Sequence, residues 1–182
     1  MSYDSVEYLN NFKKTKEYPK IHNDIFKLHT LVKVDNVLDL GCCYGLLTYR
    51  LAEVYKNVIG IESNKKYAKY FIKKENIHYY NFKIDMGHIF SFNKILKDNN
   101  IQAVYCRRFI PLLYEQGGFE LLHYFKECLY QNNVKFIIIE GRFEFPGSKH
   151  IFKNCDNECE YFIDKYELIC RWRNSGVLKL KK

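Results

Sequence analysis

Short aliphatic runs alternate with stretches of helical spacing along most of the chain, and that alternation restricts the fold more than any other feature. Asn36-Val37-Leu38-Asp39-Leu40 reads as a buried strand running into Gly41, and Val58-Ile59-Gly60-Ile61-Glu62 as a second. Residues 77–83, 102–106 and 134–139 supply three more. Between them, residues 46–55 place Leu47, Leu51 and Val54 on one helical face. Asn64 can cap a helix whose inner face is Ala68, Phe71 and Ile72. Residues 89–97 are helical, and residues 118–130 set Phe119, Leu122, Phe125 and Leu129 on one stripe. Strands separated by helices predict an α/β fold with a parallel sheet, because parallel neighbours need a long crossover. Two helical segments, residues 4–16 and 20–32, come before the first strand. After the fifth, residues 166–172 and 177–180 flank Asn174-Ser175-Gly176, a turn suited to an antiparallel hairpin. No repeat or Gly/Ser linker divides the 182 residues, so one domain is expected, with residues 1–33 a helical addition to a core of 34–182.

The most informative stretch is Leu38-Asp39-Leu40-Gly41-Cys42-Cys43-Tyr44-Gly45-Leu46, where a buried strand ends in an acid and a glycine turn opens a helix. Glycine admits backbone angles closed to other residues and lets a ligand approach the main chain. Ligands of open α/β sheets bind beyond the carboxyl ends of the strands. Glu62 ends the second strand, where a carboxylate can accept both hydroxyls of a ribose, and Asp85 follows the third, within reach of an adenine amino group. One acid after each of three strands describes a nucleoside pocket. An NAD fingerprint would need glycines where Cys43 and Leu46 stand, and Asp39 would oppose the pyrophosphate. A phosphate-binding P-loop is excluded because no Gly-Lys-Ser/Thr follows the turn.

The turn resembles motif I of the class I S-adenosylmethionine-dependent methyltransferases, an acid-x-Gly-x-Gly-x-Gly turn after the first strand. Glu62 matches the acid closing the second strand of that family and Asp85-Met86 its adenine-side motif, and the likeness runs from about Asn36 to Lys181. The chain departs from the pattern at the middle glycine, which is Cys43. The resemblance implies a Rossmann-like, mostly parallel seven-stranded sheet with helices on both faces and a C-terminal antiparallel hairpin. It implies S-adenosylmethionine as cofactor, with Asp39, Gly41, Cys42, Cys43 and Gly45 around its methionine end. Glu62 and Ser63 would hold the ribose, and Asp85 and Met86 would edge the adenine. The implied activity is methyl transfer by in-line attack, for which the protein supplies alignment.

In that fold the residues after the fourth strand flank the methyl group, and here they read Cys106-Arg107-Arg108-Phe109-Ile110-Pro111. The absence of Asn/Asp-Pro-Pro-Tyr/Phe argues against methylation of DNA adenine or cytosine-N4, and Cys106 lacks the preceding proline of a cytosine-C5 nucleophile. Arg107 and Arg108 can clamp a phosphate or carboxylate, and Phe109 can supply a stacking wall. Glu140 and Arg142, after the fifth strand, offer a base and a further cation. Arg107, Arg108 and Glu140 are therefore the catalytic candidates, and Arg107, Arg108, Phe109 and Arg142 the substrate-binding ones. The alternative is that an arginine pairs with a neighbouring carboxylate while Phe109 packs in the core. A Lys-Asp-Lys-Glu set of the ribose 2′-O-methylating type is not legible, and Tyr18 and Lys20 are lid candidates. His150, Cys155, Cys159 and Cys170 lack the Cys-x-x-Cys spacing of strong zinc sites, so no metal is expected. Adjacent Cys42 and Cys43 read as small residues in a tight turn.

Charge points to the partner. Lys and Arg number 29 against 21 Asp and Glu, a net +8, which suits an anionic partner. Nucleic acid is the expected acceptor, RNA before DNA; the alternatives are a small-molecule or protein acceptor, or a cofactor-binding subunit without activity. The aromatic fraction of 17% excludes a disordered chain. No apolar run approaches the roughly 18–20 residues of a membrane span. Seven cysteines, an odd number, and an N-terminus without an apolar core predict reduced thiols in the cytoplasm.

Overall fold

The aliphatic runs become the strands of one sheet in the computed structural model, which describes residues 6–18, 20–141 and 151–182. The strands are β1 (Asn36–Leu40), β2 (Asn57–Glu62), β3 (Ile77–Asn81), β4 (Ala103–Arg107), β5 (Phe136–Glu140), β6 (Tyr166–Trp172) and β7 (Ser175–Leu180). Their order is β3-β2-β1-β4-β5-β7-β6; the first five are mutually parallel, while β7 runs antiparallel to both β5 and β6. The helices are α1 (Val6–Thr15), α2 (Lys20–Lys27), α3 (Leu46–Leu51), α4 (Lys65–Ala68), α5 (Ile89–Asp98), α6 (Ile110–Gln131) and α7 (Cys155–Glu160), with a 3-10 turn, Leu28–Leu31, after α2. The expected Rossmann-like architecture with a C-terminal hairpin is what forms.

Alternation along the strands sorts the core onto two faces. Leu38, Leu40, Ile59, Ile61, Val104 and Ile137 point to the side covered by α5, α6 and α7. Val37, Val58, Ala103, Tyr105 and Ile138 point to the side covered by α2 and α3 through Ile25, Leu28, Leu47 and Leu51. Burial on both faces explains why these strands read as continuous apolar runs. The Tyr105 hydroxyl, fully buried, lies 2.7 Å from that of Tyr55, so neither polar end is stranded.

Several boundaries differ from the sequence expectation. The helix expected over residues 46–55 ends at Leu51, which leaves Val54 exposed. Asn64 does cap α4, accepting from Lys66 N–H at 3.0 Å, but the helix stops at Ala68, and Ala68 is exposed. Phe71 instead stacks on Tyr79, ring centroids 4.1 Å apart. The helix expected from residue 118 begins at Ile110, with Pro111 in its first turn, and is kinked at Gly117-Gly118. Phe119, just past the kink, leaves the buried stripe and stacks on Tyr161. Ser175 and Gly176 belong to β7, so the hairpin turns at Arg173-Asn174; Gly176 is packed so closely that a Cβ would lie 2.9 Å from Cys159 Sγ. Residues 4 and 5 of the first expected helix lie outside the described residues.

β1 and β4 are neighbours whose chains continue in opposite directions across the sheet, so the switch point falls beyond their carboxyl ends. Close packing beside it is unforgiving. A Cβ on Gly60 would lie 2.7 Å from the Tyr79 ring, itself held against Phe71, and 3.1 Å from Cys42 Sγ. Gly60→Ala is expected to cost about 1–3 kcal/mol by overpacking. A urea midpoint that falls with an unchanged slope is the expected result.

Candidate functional site

The turn between β1 and α3 places three alternate residues in the left-handed region: Gly41 (φ 68°), Cys43 (φ 51°) and Gly45 (φ 78°). Two serve different ends. Gly41 lies at the base of the cleft, and a Cβ there would approach the Phe109 ring to 3.1 Å. Gly45 is the N-cap of α3, and a Cβ there would collide with the Tyr79 hydroxyl, so it lets the helix pack down on the sheet. Main-chain bonds tie the turn to the end of β2: the N–H groups of Gly41 and Cys42 both donate to Ile61 O, at 2.9 and 3.0 Å.

Glu62 completes that tie. Its Oε2 accepts from Cys43 N–H at 2.9 Å and its Oε1 from Asn64 N–H at 2.8 Å. The Ser63 hydroxyl also donates to Oε1, at 3.5 Å; a carboxylate offers about four lone-pair positions, so roughly one remains for a ligand. Glu62 also lines a cleft of about 280 Å³ together with Gly41, Ser63, Tyr67, Ile84 and Phe109. A charged acceptor at one end and apolar walls along the rest suit a nucleoside: a hydroxyl at the carboxylate, a purine between the walls. The residues present therefore fit S-adenosylmethionine.

Asp39 lies deeper. It is buried, and its Oδ2 accepts from the Thr48 hydroxyl at 2.6 Å. With Gly41, Cys42 and Tyr44 it borders a second, narrow cavity, which His22 of α2 and Arg107 of β4 also reach. Burial and the charges of Asp39 and Glu62 push the Cys42 thiol well above its ordinary pKa, which keeps it protonated. Asp85 and Met86 are not brought into the cleft wall. Asp85 lies 2.7 Å from His88 Nδ1 and 3.5 Å from Lys83 Nζ; the His88 hydrogen bond, with both neighbouring charges, holds its carboxyl below the usual range. Met86 is exposed. Phe82, Lys83 and Ile84 form that wall instead.

On the acceptor side, Arg107 and Glu140 stand opposite each other on β4 and β5, and Arg107 Nε donates to Glu140 Oε1 at 3.2 Å. Their side chains are only 9% and 3% exposed, which makes this a buried ion pair. Arg108 is held in the left-handed region (φ 53°), with its N–H donating to Glu140 O at 2.7 Å. Phe109 lines the cofactor cleft and packs within the core beside Phe125. Arg142 and His150 lie outside the described residues. The Tyr18 hydroxyl donates to Glu53 at 3.2 Å, and Lys20 is exposed. Among the described residues, no three His, Cys, Asp or Glu side chains converge as a metal site. Among the same residues, no helix is long and apolar enough to cross a membrane.

Sequence reasoning missed several wall residues, namely Tyr67, Phe82, Leu112, Gln116 and, at the narrow cavity, His22. One signal was available. Phe109, Leu112 and Gln116 recur at i, i+3 and i+7, the spacing of one face of the helix that starts there.

A sequence profile described as a methyltransferase domain matches residues 31–174. No curated protein matches the chain in sequence. Among solved structures, the N-methyltransferase NodS from Bradyrhizobium japonicum WM9 superposes with a TM-score of 0.66 at 10% identity, covering 95% of this chain and 98% of NodS. A second NodS structure is a complex with S-adenosyl-L-homocysteine. TehB from Haemophilus influenzae gives 0.67 at 15% identity, over 93% of this chain and 66% of TehB. WbdD gives 0.56 at 15% identity over 87% of this chain, which spans only 39% of WbdD.

Three variants test the site. Glu62→Ala should weaken binding of S-adenosylhomocysteine, followed by calorimetry, by about 1.5–3 kcal/mol through loss of charge-assisted bonds. Glu140→Ala should cost about 3–5 kcal/mol in urea unfolding because it leaves the Arg107 charge buried without that partner. The double change Arg107→Met/Glu140→Leu should recover most of that loss.

Proposed function

The chain belongs to the methyltransferase-domain family, S-adenosylmethionine-dependent enzymes of class I Rossmann-like fold, and from that premise we propose that its methyl acceptor is a nucleic acid, RNA before DNA. When bound, S-adenosylmethionine supplies a methyl group on a sulfonium, electrophilic enough for direct in-line attack. The chain's own part is positioning. Glu62 has acceptor capacity left for a ribose hydroxyl, and the left-handed turn at Gly41 lets a ligand lie against the main chain. Phe109, Leu112 and Ile84 exclude water from the cleft wall.

Glu140, the one carboxylate at the acceptor edge expected to act as base, is engaged by Arg107. This favours an acceptor atom that needs alignment more than deprotonation, such as a ring or exocyclic nitrogen, over an alcohol of high pKa. The reading of nucleic acid is supported by the net charge of +8.

The test is an incorporation assay with methyl-labelled S-adenosylmethionine against separated RNA, DNA, protein and small-molecule fractions. Label in RNA, with S-adenosylhomocysteine released only when RNA is present, is the expected result. Label confined to the protein or small-molecule fraction would overturn the acceptor assignment and leave the family unaffected.

A further inference from the structure

The +8 charge is not spread evenly. Residues 6–16 and 63–74 together contain eight lysines (13, 14, 16, 65, 66, 69, 73 and 74) and a single acid, Glu7. The remaining 159 residues hold 21 basic and 20 acidic side chains, so these two short segments carry +7 of the net charge. They are about fifty positions apart, and a random lysine excess would not need to bring them together.

The fold does bring them together. Leu9 and Phe12 of α1 are buried with Tyr44 and Leu46 of the glycine turn, and Tyr67 and Tyr70 pack against the same cluster. The Tyr44 ring lies 4.7 Å from that of Tyr67 and 5.4 Å from that of Tyr70. Over the outer surface, Lys13 Nζ sits 6.0 Å and Lys69 Nζ 4.9 Å from the centre of the Tyr70 ring. Lys13, Lys14, Lys65, Lys66 and Lys69 are all exposed, and among the described residues none of them has a carboxylate partner. Three lysines elsewhere do have one: Lys83 pairs with Asp85, Lys126 with Asp164 and Lys165 with Glu127.

Like charges gathered around one tyrosine without counter-charge repel, and a polyanion laid across them relieves that repulsion. The surface has a direction as well. Asn64 and Tyr67, at the start of α4, are wall residues of the cofactor cleft, so an anion held by these lysines reaches the rim of that cleft. None of the exposed large hydrophobic side chains among the described residues comes from these segments. That disfavours a membrane or an apolar protein partner, whereas lysines interleaved with tyrosine faces are what a single strand requires: charge for phosphates and rings for bases.

We propose that α1 and α4 form the docking track for the phosphodiester backbone of a single-stranded RNA, with Lys13, Lys14, Lys65, Lys66 and Lys69 contacting phosphates and Tyr70 offering a stacking face. This rests on the nucleic-acid reading of the acceptor. It assigns the phosphate contacts to lysines over the cofactor turn, in place of Arg107, whose guanidinium is committed to Glu140.

The experiment measures binding of a fluorescent single-stranded RNA by anisotropy across a range of KCl concentrations. It compares the full chain with Lys65→Ala/Lys66→Ala/Lys69→Ala, with Lys13→Ala/Lys14→Ala, and with Lys94→Ala/Lys97→Ala on the exposed side of α5 as a control that matches the double variant in charge. Each lost phosphate contact lowers the slope of log K against log salt by about 0.7, so the triple variant should be shallower by about 2. Both track variants should bind RNA at least tenfold more weakly, while the control keeps the parent behaviour. Calorimetry with S-adenosylhomocysteine should give parent affinity throughout, since none of the substituted lysines lines the cleft. Parent-like RNA affinity and slope in the triple variant would overturn the track and leave the nucleic-acid reading standing. Equal losses in the α5 control would do the same, by showing that total charge and not place governs binding. Displacement of the RNA by polyglutamate at equal charge would overturn the assignment to RNA. An intact chain with no salt-dependent RNA binding would remove the nucleic-acid reading itself.

Discussion

The site depends on how the end of β1 is fastened to the end of β2. Gly41 and Cys42 donate to one carbonyl, Ile61 O, and Cys43 donates to the Glu62 carboxylate. Satisfying those bonds requires the chain to enter the left-handed region at every second residue from 41 to 45. Glycine does this without steric penalty at two of the three positions. At Cys43 the conformation costs about 1–2 kcal/mol, and a hydrogen bond to a charged acceptor returns about 1.5–3 kcal/mol. The bond thus offsets the strain, which is why a residue with a Cβ can stand where the family pattern has glycine. The same carboxylate that braces the turn faces the cleft, so binding geometry and backbone geometry share one residue.

Several buried polar groups elsewhere in the site find partners on neighbouring elements. Asp39 is met by Thr48 from α3, Tyr105 by Tyr55, and Arg107 by Glu140. The ion pair contributes little net stability, because desolvating two charges consumes most of their attraction. What it does is fix the ends of β4 and β5 and neutralise an edge where a lone arginine or carboxylate would be costly. Chemistry at that edge is then left to alignment against the cofactor, consistent with a site whose other parts are a rigid turn and apolar walls.

Four of the parallel strands were legible because burial on both faces leaves a largely aliphatic run, β3 being buried only at Ile77, and all five stand within two residues of expectation at their starts. Helix ends were less so. Residues 46–55 keep helical spacing past Leu51, but the chain must turn back to start β2 at Asn57, and Val54 is left outside. Segment 65–74 has a capping asparagine and an apparent apolar face, yet Phe71 finds the Tyr79 ring a better partner than a helix can offer. Within the site, Gly41 and Glu62 were readable because backbone angles and charge restrict residue type. The walls were not, since Leu112 or Phe82 need only be large and well placed. That an arginine pairs with a neighbouring carboxylate was offered only as an alternative and without naming the partner, because the Arg107–Glu140 pair follows from β4–β5 register between residues 33 apart in sequence.

The kink in α6 explains how one helix serves both cleft and core. Leu112 and Gln116 line the cleft from its first turns, while Leu121, Leu122, Phe125 and Leu129 of the remainder are buried against the sheet. A straight helix would couple the two stripes rigidly. Gly118 stands between them at φ 61° and ψ −156°, a conformation essentially reserved to glycine, with nothing within 4 Å of the place a Cβ would occupy. The glycine is therefore required by backbone geometry and not by crowding. It lets the cleft-facing half, which also buries Ile110 and Leu113, take its direction from β4 and the Phe109 wall.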